Sequence, residues 1–206
     1  MTEISLAGLN VSRETFNRLT LLQSMLEKWN PAINLVAKST LPDAWTRHIV
    51  DSAQLMTLAP ASVLHWADLG SGGGFPGLVV AALSAERDPQ RRITLVESDQ
   101  RKSTFLRQAA RELGLTNVSV LSDRIEKLAP LHADVLSARA LAALSALCGF
   151  ASQHMAADGL ALFPKGAHYR EEIEAAQTDW RFDLVTHPSE TDPSAVVLAM
   201  KAIQHV

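Results

Sequence analysis

Residues 68–77 read Asp-Leu-Gly-Ser-Gly-Gly-Gly-Phe-Pro-Gly, and this segment is the most informative part of the sequence. It follows an apolar run at residues 63–69 and opens an apolar helical pattern near residues 76–86. Glycine lets the backbone turn sharply and approach a ligand more closely than a Cβ atom would permit. A glycine-rich turn between a buried strand and a helix therefore predicts a ligand site at one end of an α/β sheet.

The glycine spacing fits two classes of ligand. Gly70, Gly72 and Gly74 form an acid-x-G-x-G-x-G pattern, which is typical of a pocket for S-adenosyl-L-methionine (AdoMet). Gly72, Gly74 and Gly77 also satisfy G-x-G-x-x-G, the dinucleotide fingerprint. The glycines alone leave both ligands open.

Two carboxylates near this loop bear on the choice. Glu97 lies 20 positions after Gly77 (97 − 77), which is where a ribose-binding acid occurs in either fold. Asp68, at the predicted strand end, would repel a pyrophosphate but suits the ammonium and sulfonium groups of AdoMet. We therefore favour AdoMet and expect both carboxylates to contact it.

From residue 63 onward, short apolar runs alternate with helical patterns. The runs predict strands at residues 63–69, 93–97, 118–121, 134–136 and 160–163, and the patterns predict helices near 76–86, 99–113 and 140–155. This alternation indicates a parallel sheet with helices on both faces. Two further strands at 180–186 and 195–201, joined by a short polar turn, are expected to pair antiparallel. The predicted fold class is α/β: a Rossmann-like AdoMet-dependent methyltransferase fold, with a mostly parallel seven-stranded sheet and a C-terminal antiparallel hairpin.

The first sixty residues show a helical pattern instead. Ser12 is a suitable N-cap for a helix that we expect to end at Asn30-Pro31. A second helix is predicted from residues 40–42, with Pro42 in its first turn, to about residue 58. We divide the chain into an N-terminal helical extension packed on the core, residues 1–60, and a methyltransferase domain, residues 61–206. Residues 1–5 carry no basic region, so no signal peptide is expected.

Composition limits the classes of partner. The 206 residues are 47% hydrophobic and 20% charged, which is typical of a globular protein with a sizeable core. The formal net charge is −3, so a polyanion would have to bind a local basic patch. The single cysteine, Cys148, excludes an internal disulfide and a Cys-based zinc cluster. We expect no metal, no membrane span and a cytoplasmic location.

The sequence lacks two features, a motif for amine methylation and a reactive cysteine, and their absence limits which atom can accept the methyl group. Methylation of an exocyclic amine usually goes with an Asn/Asp-Pro-Pro-aromatic motif after the fourth strand, whereas residues 137–140 read Ser-Ala-Arg-Ala. Carbon methylation of a pyrimidine needs a reactive cysteine, and Cys148 falls in a predicted apolar helix. A ring nitrogen such as guanine N7 needs neither device, because its lone pair carries no proton. The sequence is compatible with N7 chemistry without proving it.

These residues resemble the small-subunit ribosomal RNA methyltransferase G family, also called glucose-inhibited division protein B. The resemblance runs from about residue 34 to 201, and its most specific parts are Arg47-His48-Ile49 and Phe75-Pro76-Gly77. It also covers Asp51-Ser52, Glu97-Ser98, Lys102, Phe105-Leu106, Arg124, Glu126, Arg139-Ala140 and Lys165-Gly166. Ala138 departs from the family, which commonly has serine there. The resemblance implies methyl transfer from AdoMet to N7 of a guanine in the decoding-region loop of 16S rRNA, with S-adenosyl-L-homocysteine as the second product.

The resemblance also assigns roles to side chains. It implies AdoMet contacts at Gly70, Phe75, Ile125, Glu126 and Arg139, to which the loop argument adds Asp68, Gly72 and Glu97. Arg139 is expected to orient the reactants, with no general base. RNA contacts are expected at Arg47, His48, Lys102 and Lys165. The expected partner is 16S rRNA or the small ribosomal subunit, bound by a monomer.

Two other functions stay open on the sequence. The lack of a basic excess is compatible with a small-molecule AdoMet-dependent methyltransferase. The alternative glycine register is compatible with a nicotinamide-dependent oxidoreductase.

Overall fold

A computed structural model describes residues 4–206 of the chain. Residues 1–3 of the predicted extension, and with them most of the segment checked for a signal peptide, lie outside the described residues. Within residues 4–206, no helix is both long enough and apolar enough to cross a lipid bilayer.

The N-terminal segment begins with a hairpin that the sequence analysis missed. Strands β1 (Ile4–Leu6) and β2 (Leu9–Val11) pair antiparallel, and helix α1 spans Arg13–Ile33. Ser12 caps α1 as predicted, because its Oγ accepts a hydrogen bond from the Thr15 amide at 3.1 Å. The predicted end at Asn30-Pro31 was too early: proline removes one amide donor, but the helix continues to Ile33 and ends at the left-handed Asn34.

The second predicted helix is a run of three helical forms. A 3-10 helix spans Lys38–Asp43, a π-helix spans Trp45–Val50, and helix α2 spans Asp51–Leu58. π-helical turns are rare and often occur at functional sites. This one carries the Arg47-His48 pair.

The remainder of the chain builds one seven-stranded sheet. Its strands are β3 (His65–Leu69), β4 (Arg92–Val96), β5 (Val118–Leu121), β6 (Ala133–Ala138), β7 (Met155–Lys165), β8 (Trp180–Pro188) and β9 (Val196–His205). The order across the sheet is β5-β4-β3-β6-β7-β9-β8. The five neighbouring strands β5, β4, β3, β6 and β7 run parallel to one another. Strand β9 pairs antiparallel with both β7 and β8. The predicted fold class, with its C-terminal hairpin, is confirmed.

Helices cover both faces of this sheet. They are α3 (Gly77–Arg87), α4 (Gln100–Glu112), α5 (Leu144–His154) and α6 (Tyr169–Ala176). Helix α1 packs against α3 and α4, where Trp29 meets the buried ring of Phe105 with centroids 5.8 Å apart. A second apolar layer, on the other face, includes Cys148 and Phe163. The division of the chain at residue 60 stays a prediction.

Candidate active site

A cavity of about 1560 Å³ opens where the strands β3, β4, β6 and β7 end. Strand β3 lies between β4 and β6, and ligands of α/β sheets bind at such points, beyond the carboxyl ends of the strands. A site for one small ligand usually measures about 300–1,000 Å³. The volume therefore suffices for two reactants side by side. All but one of the predicted site residues line it: Arg47, His48, Gly70, Gly72, Phe75, Glu97, Lys102, Ile125, Glu126, Arg139 and Lys165.

The glycine loop after β3 forms one wall. Gly70 and Gly72 have φ of +66° and +53°, a region that residues with a Cβ atom rarely adopt. A Cβ atom at Gly70 would also lie only 2.6 Å from Leu141 Cδ1. The Gly72 amide donates to Glu97 Oε2 at 2.9 Å, and Glu97 Oε1 accepts from the Asp99 amide at 2.8 Å. Glu97 thus joins the ends of β3 and β4 while lining the cavity.

The wall residues fit AdoMet chemically. A carboxylate at Glu97 suits the ribose hydroxyls, and the loop presents backbone without side chains where a ligand has to come close. Ile125 begins a short 3-10 turn after β5 and offers an apolar surface. The buried His154 holds this turn, because its Nε2 bonds the Ile125 carbonyl at 3.1 Å.

Asp68 has different surroundings from those predicted. Its carboxylate is fully buried and does not line the cavity, so direct contact with a bound cation was the wrong expectation. Asp68 Oδ1 accepts from Ser137 Oγ at 2.7 Å, and Oδ2 accepts from the Gly77 amide at 3.2 Å. Burial raises the pKa of Asp68 to about 6, although these hydrogen bonds favour the charged form. Asp68 therefore links the end of the glycine loop to strand β6 without lining the cavity.

Arg139, which directly follows β6, is held by the π-helix. Its Nη1 donates to the Arg47 carbonyl at 2.9 Å and to Asp51 Oδ2 at 3.2 Å. Its Nη2 lies 2.9 Å from His48 Nδ1, and its guanidinium carbon lies 5.6 Å from the centre of the Phe75 ring. The N-terminal segment thus fixes a cation on the wall of the cavity.

His48 is neutral in this arrangement. A guanidinium can only donate, so His48 Nδ1 accepts from Arg139 and the imidazole proton is on Nε2. Nε2 then donates to Thr40 Oγ1 at 2.8 Å. Burial, Arg139 and Arg47 together lower the pKa of His48 to about 4. The imidazole also stacks on Phe75, with ring centres 5.1 Å apart.

The RNA-binding role predicted for His48 stays a prediction, but these contacts engage its ring within the protein. The residue is only 7% exposed, and both ring nitrogens bond within the protein. Sequence reasoning also missed Asp51, which was quoted for the resemblance but given no role. Asp51 Oδ1 accepts from Thr191 Oγ1 of the β8–β9 turn at 3.1 Å. The spacing of four between Arg47 and Asp51 was the available signal, because such residues share one helix face.

The predicted RNA-binding lysines differ from each other. Lys165 is engaged within the protein, with its Nζ 2.6 Å from Glu172 Oε2 and 2.9 Å from the Ala142 carbonyl. Its side chain lines the cavity but is only 9% exposed, and the predicted RNA contact of Lys165 stays a prediction. Lys102 and the exposed Arg47 line the cavity, together with two exposed basic residues that the sequence analysis did not assign, Lys38 and Arg124.

Two further observations concern reactive groups. Cys148 is fully buried in α5, and burial raises the pKa of its thiol to about 11, so it is an apolar core residue. Within residues 4–206, no group of three or more His, Cys, Asp or Glu side chains is arranged to hold a metal ion.

Comparison with known proteins identifies the family. A family model described as rRNA small subunit methyltransferase G matches residues 15–194. Ribosomal RNA small subunit methyltransferase G of Cereibacter sphaeroides is 53% identical over 206 residues, all of both chains. The protein of that name from Ruegeria pomeroyi is 54% identical over 198 residues, 96% of each chain.

Solved structures agree on the fold. An AdoMet-dependent methyltransferase from Aquifex aeolicus superposes with a TM-score of 0.61 at 12% identity, covering 86% of this chain and 97% of that one. A mutant of MtNAS in complex with AdoMet gives a TM-score of 0.59 at 15% identity, over 91% and 75% of the two chains. As the sequence resemblance predicted, the chain belongs to the rRNA small subunit methyltransferase G family.

Proposed function

We propose that the protein transfers the methyl group of AdoMet to N7 of a guanine in the decoding-region loop of 16S rRNA, releasing S-adenosyl-L-homocysteine. The observation that carries this is the family match over residues 15–194, which includes the β3 loop, Arg139 and Lys165 on the wall of one cavity. The family supplies the reaction, and the cavity has room for a cofactor and a base.

We assign the cofactor to the side of the cavity formed by β3, β4 and β5. When bound, AdoMet supplies a methyl group activated by a positively charged sulfur. The residues that would hold it are those predicted from the sequence and found on the wall: Gly70, Gly72, Phe75, Glu97, Ile125, Glu126 and Arg139. Asp68 supports them by fixing the loop from below.

The chain has to align the reactants rather than remove a proton. Guanine N7 presents an in-plane lone pair without a hydrogen, so its methylation needs no general base. His48 is neutral with both nitrogens bonded, and its low pKa keeps that state constant above about pH 5. Asp68, whose pKa is about 6, still titrates at mildly acidic pH, so we expect the rate of methyl transfer to be nearly independent of pH above about 7.

Arg139 is the residue that we assign to orientation. The contacts with Asp51, His48 and the Arg47 carbonyl leave its guanidinium little freedom. A fixed cation at the end of β6 can orient the cofactor and the RNA backbone at once. We call it an orienting residue, with no part in proton transfer.

We further propose that the substrate is 16S rRNA or the small ribosomal subunit, bound by a monomer in the cytoplasm. With a net charge of −3, binding has to rely on a local patch. The basic residues on the cavity wall that can supply it are Lys38, Arg47, Lys102 and Arg124.

The test is to identify the methylated nucleoside. The protein is incubated with labelled AdoMet and either unmethylated small subunits or protein-free 16S rRNA, and the RNA is digested and analysed. We expect label in 7-methylguanosine from the decoding-region loop. Label on carbon, on an exocyclic amine or only in small molecules would refute the proposal.

The matched variants are Arg139→Ala and Arg101→Ala. Arg139→Ala removes two or more charge-assisted hydrogen bonds, so it should slow single-turnover methyl transfer by roughly 100-fold. Arg101 is 70% exposed on α4 and does not line the cavity, so its loss should change little. Equal rates in both variants would remove Arg139 from the mechanism.

A further inference from the structure

The strand order divides the floor of the cavity into two halves. The cofactor residues of the loop, Glu97 and Ile125 follow β3, β4 and β5, on one side of the sheet. The ends of β6 and β7 lie on the other side of β3 and, apart from Arg139, carry no residue assigned to the cofactor. The acceptor base therefore has the β6 and β7 half available to it.

That half contains a carboxylate whose two oxygens differ. Glu172 of α6 lines the cavity, and its Oε2 accepts from Lys165 Nζ at 2.6 Å and from the Leu144 amide at 2.9 Å. No donor among residues 4–206 bonds its Oε1. One oxygen is thus fixed by the protein, while the other keeps its accepting capacity in a cavity that has to bind a nucleobase.

A guanine offers the complementary groups. Its Watson–Crick edge presents two adjacent donors, N1–H and the 2-amino group, whereas adenine presents an acceptor at N1. A carboxylate oxygen can accept from both guanine donors, and charge-assisted bonds of this kind are strong. The atom to be methylated, N7, lies on the opposite side of the purine and stays free. Enzymes that modify a base in RNA or DNA commonly read this edge in the pocket.

We propose that Glu172 is the specificity-determining residue that reads the Watson–Crick edge of the target guanine. This rests on the function proposed above and adds a named acceptor to it. Lys165 and the Leu144 amide act as positioning groups, because they fix one carboxylate oxygen and leave the other for the base.

A purely structural role for Glu172 has to be separated from this one. Ala143, the N-cap of α5, has no side-chain acceptor, and Glu172 bonds the first amide of that helix in its place. Replacement of Glu172 by alanine would remove both the acceptor for the Leu144 amide and the oxygen that is proposed to bind guanine. Glu172→Gln keeps an oxygen for the Leu144 amide and places an NH₂ group where the free oxygen stands. A donor then faces the two donors of guanine.

The experiment compares guanosine with inosine, a nucleoside that differs from guanosine only in lacking the 2-amino group. Small subunits are reconstituted with 16S rRNA that carries either base at the methylated position, and single-turnover rates are measured with saturating AdoMet. Wild-type protein should methylate the guanine form about 10-fold faster, since a base contact discriminates by roughly 10- to 100-fold. Glu172→Gln should lose about 10- to 100-fold on guanine, and its guanine-to-inosine ratio should fall to about one.

The control variant is Glu171→Gln. Glu171 is the preceding residue of α6, is 72% exposed and does not line the cavity, so rates and ratio should stay at wild-type values. AdoMet affinity and thermal unfolding of each variant show whether the fold and the cofactor half are intact.

The possible outcomes distinguish failure of the role proposed for Glu172 from failure of the proposed function. A guanine-to-inosine rate ratio near one in the wild-type protein would overturn the proposed role of Glu172 before any variant is measured. An unchanged rate ratio in Glu172→Gln would overturn it as well. A wild-type protein that methylates guanine subunits at a site other than N7, or not at all, overturns the proposed function and the role of Glu172 with it.

Discussion

Asp68 and His48 make opposite contributions to the pH dependence of stability, and substitution should separate them. The pKa of Asp68 is 3.8 in an unfolded chain and about 6 in the fold. Between these values the folded chain holds the extra proton, so the free energy of unfolding falls as pH rises from about 4 to 6. At roughly 1.4 kcal/mol for each pKa unit, this one group lowers stability by about 3 kcal/mol across the window.

His48 acts in the other direction. Its pKa falls from 6.5 in the unfolded chain to about 4 in the fold, so the unfolded chain holds the extra proton between those values. The free energy of unfolding therefore rises by about 3 kcal/mol as pH rises from about 4 to 6.5. In the wild-type protein the two contributions nearly cancel.

The difference between each single variant and the wild type should reveal the contribution of the substituted group. In Asp68→Asn the free energy of unfolding should rise with pH, relative to wild type, by about 3 kcal/mol between pH 4 and 7. In His48→Asn it should fall by a similar amount. Urea unfolding followed by tryptophan fluorescence measures both, and all other titrating groups cancel in the differences. Two difference curves that run parallel, or that stay flat across this range, would refute the assigned protonation states.

Three further outcomes follow from particular contacts. Gly77→Ala should abolish AdoMet binding in calorimetry, because its Cβ would lie 2.7 Å from the buried carboxylate that anchors the loop. In Gly114→Ala the new Cβ meets open space, and although the φ of +65° makes this change a strained one, the folded variant should bind AdoMet normally; equal affinities in the two variants would contradict this. Lys102→Ala should lower the salt slope of RNA binding by about one, while an unchanged slope would remove this residue from the interface. Cys148→Ser should stay active in methyl transfer and lose only stability, because a hydroxyl then replaces a buried thiol. A folded, AdoMet-binding but inactive serine variant would instead indicate covalent carbon methylation.

Local signals were sufficient for most of the sheet. The strand at residues 118–121 was predicted with its observed bounds, because an apolar run is enclosed by turn residues. Helix α6 was missed, since four of its eight residues are charged and only Ala176 is buried. The β1–β2 hairpin was missed as well, because strands of three residues are too short to show a period.

The site was predicted as a set of residues but not as a set of contacts. Sequence reasoning placed Asp68, His48 and Lys165 in the functional region, and the structure brings all three to the cavity or directly beneath it. Their roles depended on partners 69, 91 and 7 positions away in the chain. The pattern of residue types shows that a carboxylate or an imidazole is present, but burial and partners decide its charge and its exposure.

The N-terminal segment contributes contacts to the candidate active site. Arg139 is largely buried; burial lowers the pKa of its guanidinium, and Asp51 acts against that shift. A buried cation that loses its carboxylate costs about 3–5 kcal/mol, so the core sheet alone would present Arg139 poorly. Asp51 in turn is bonded by Thr191 from the turn between β8 and β9. Arg139 is therefore held in one network with the segment before the sheet and with its last hairpin, and a shift of either should change the geometry of the candidate active site.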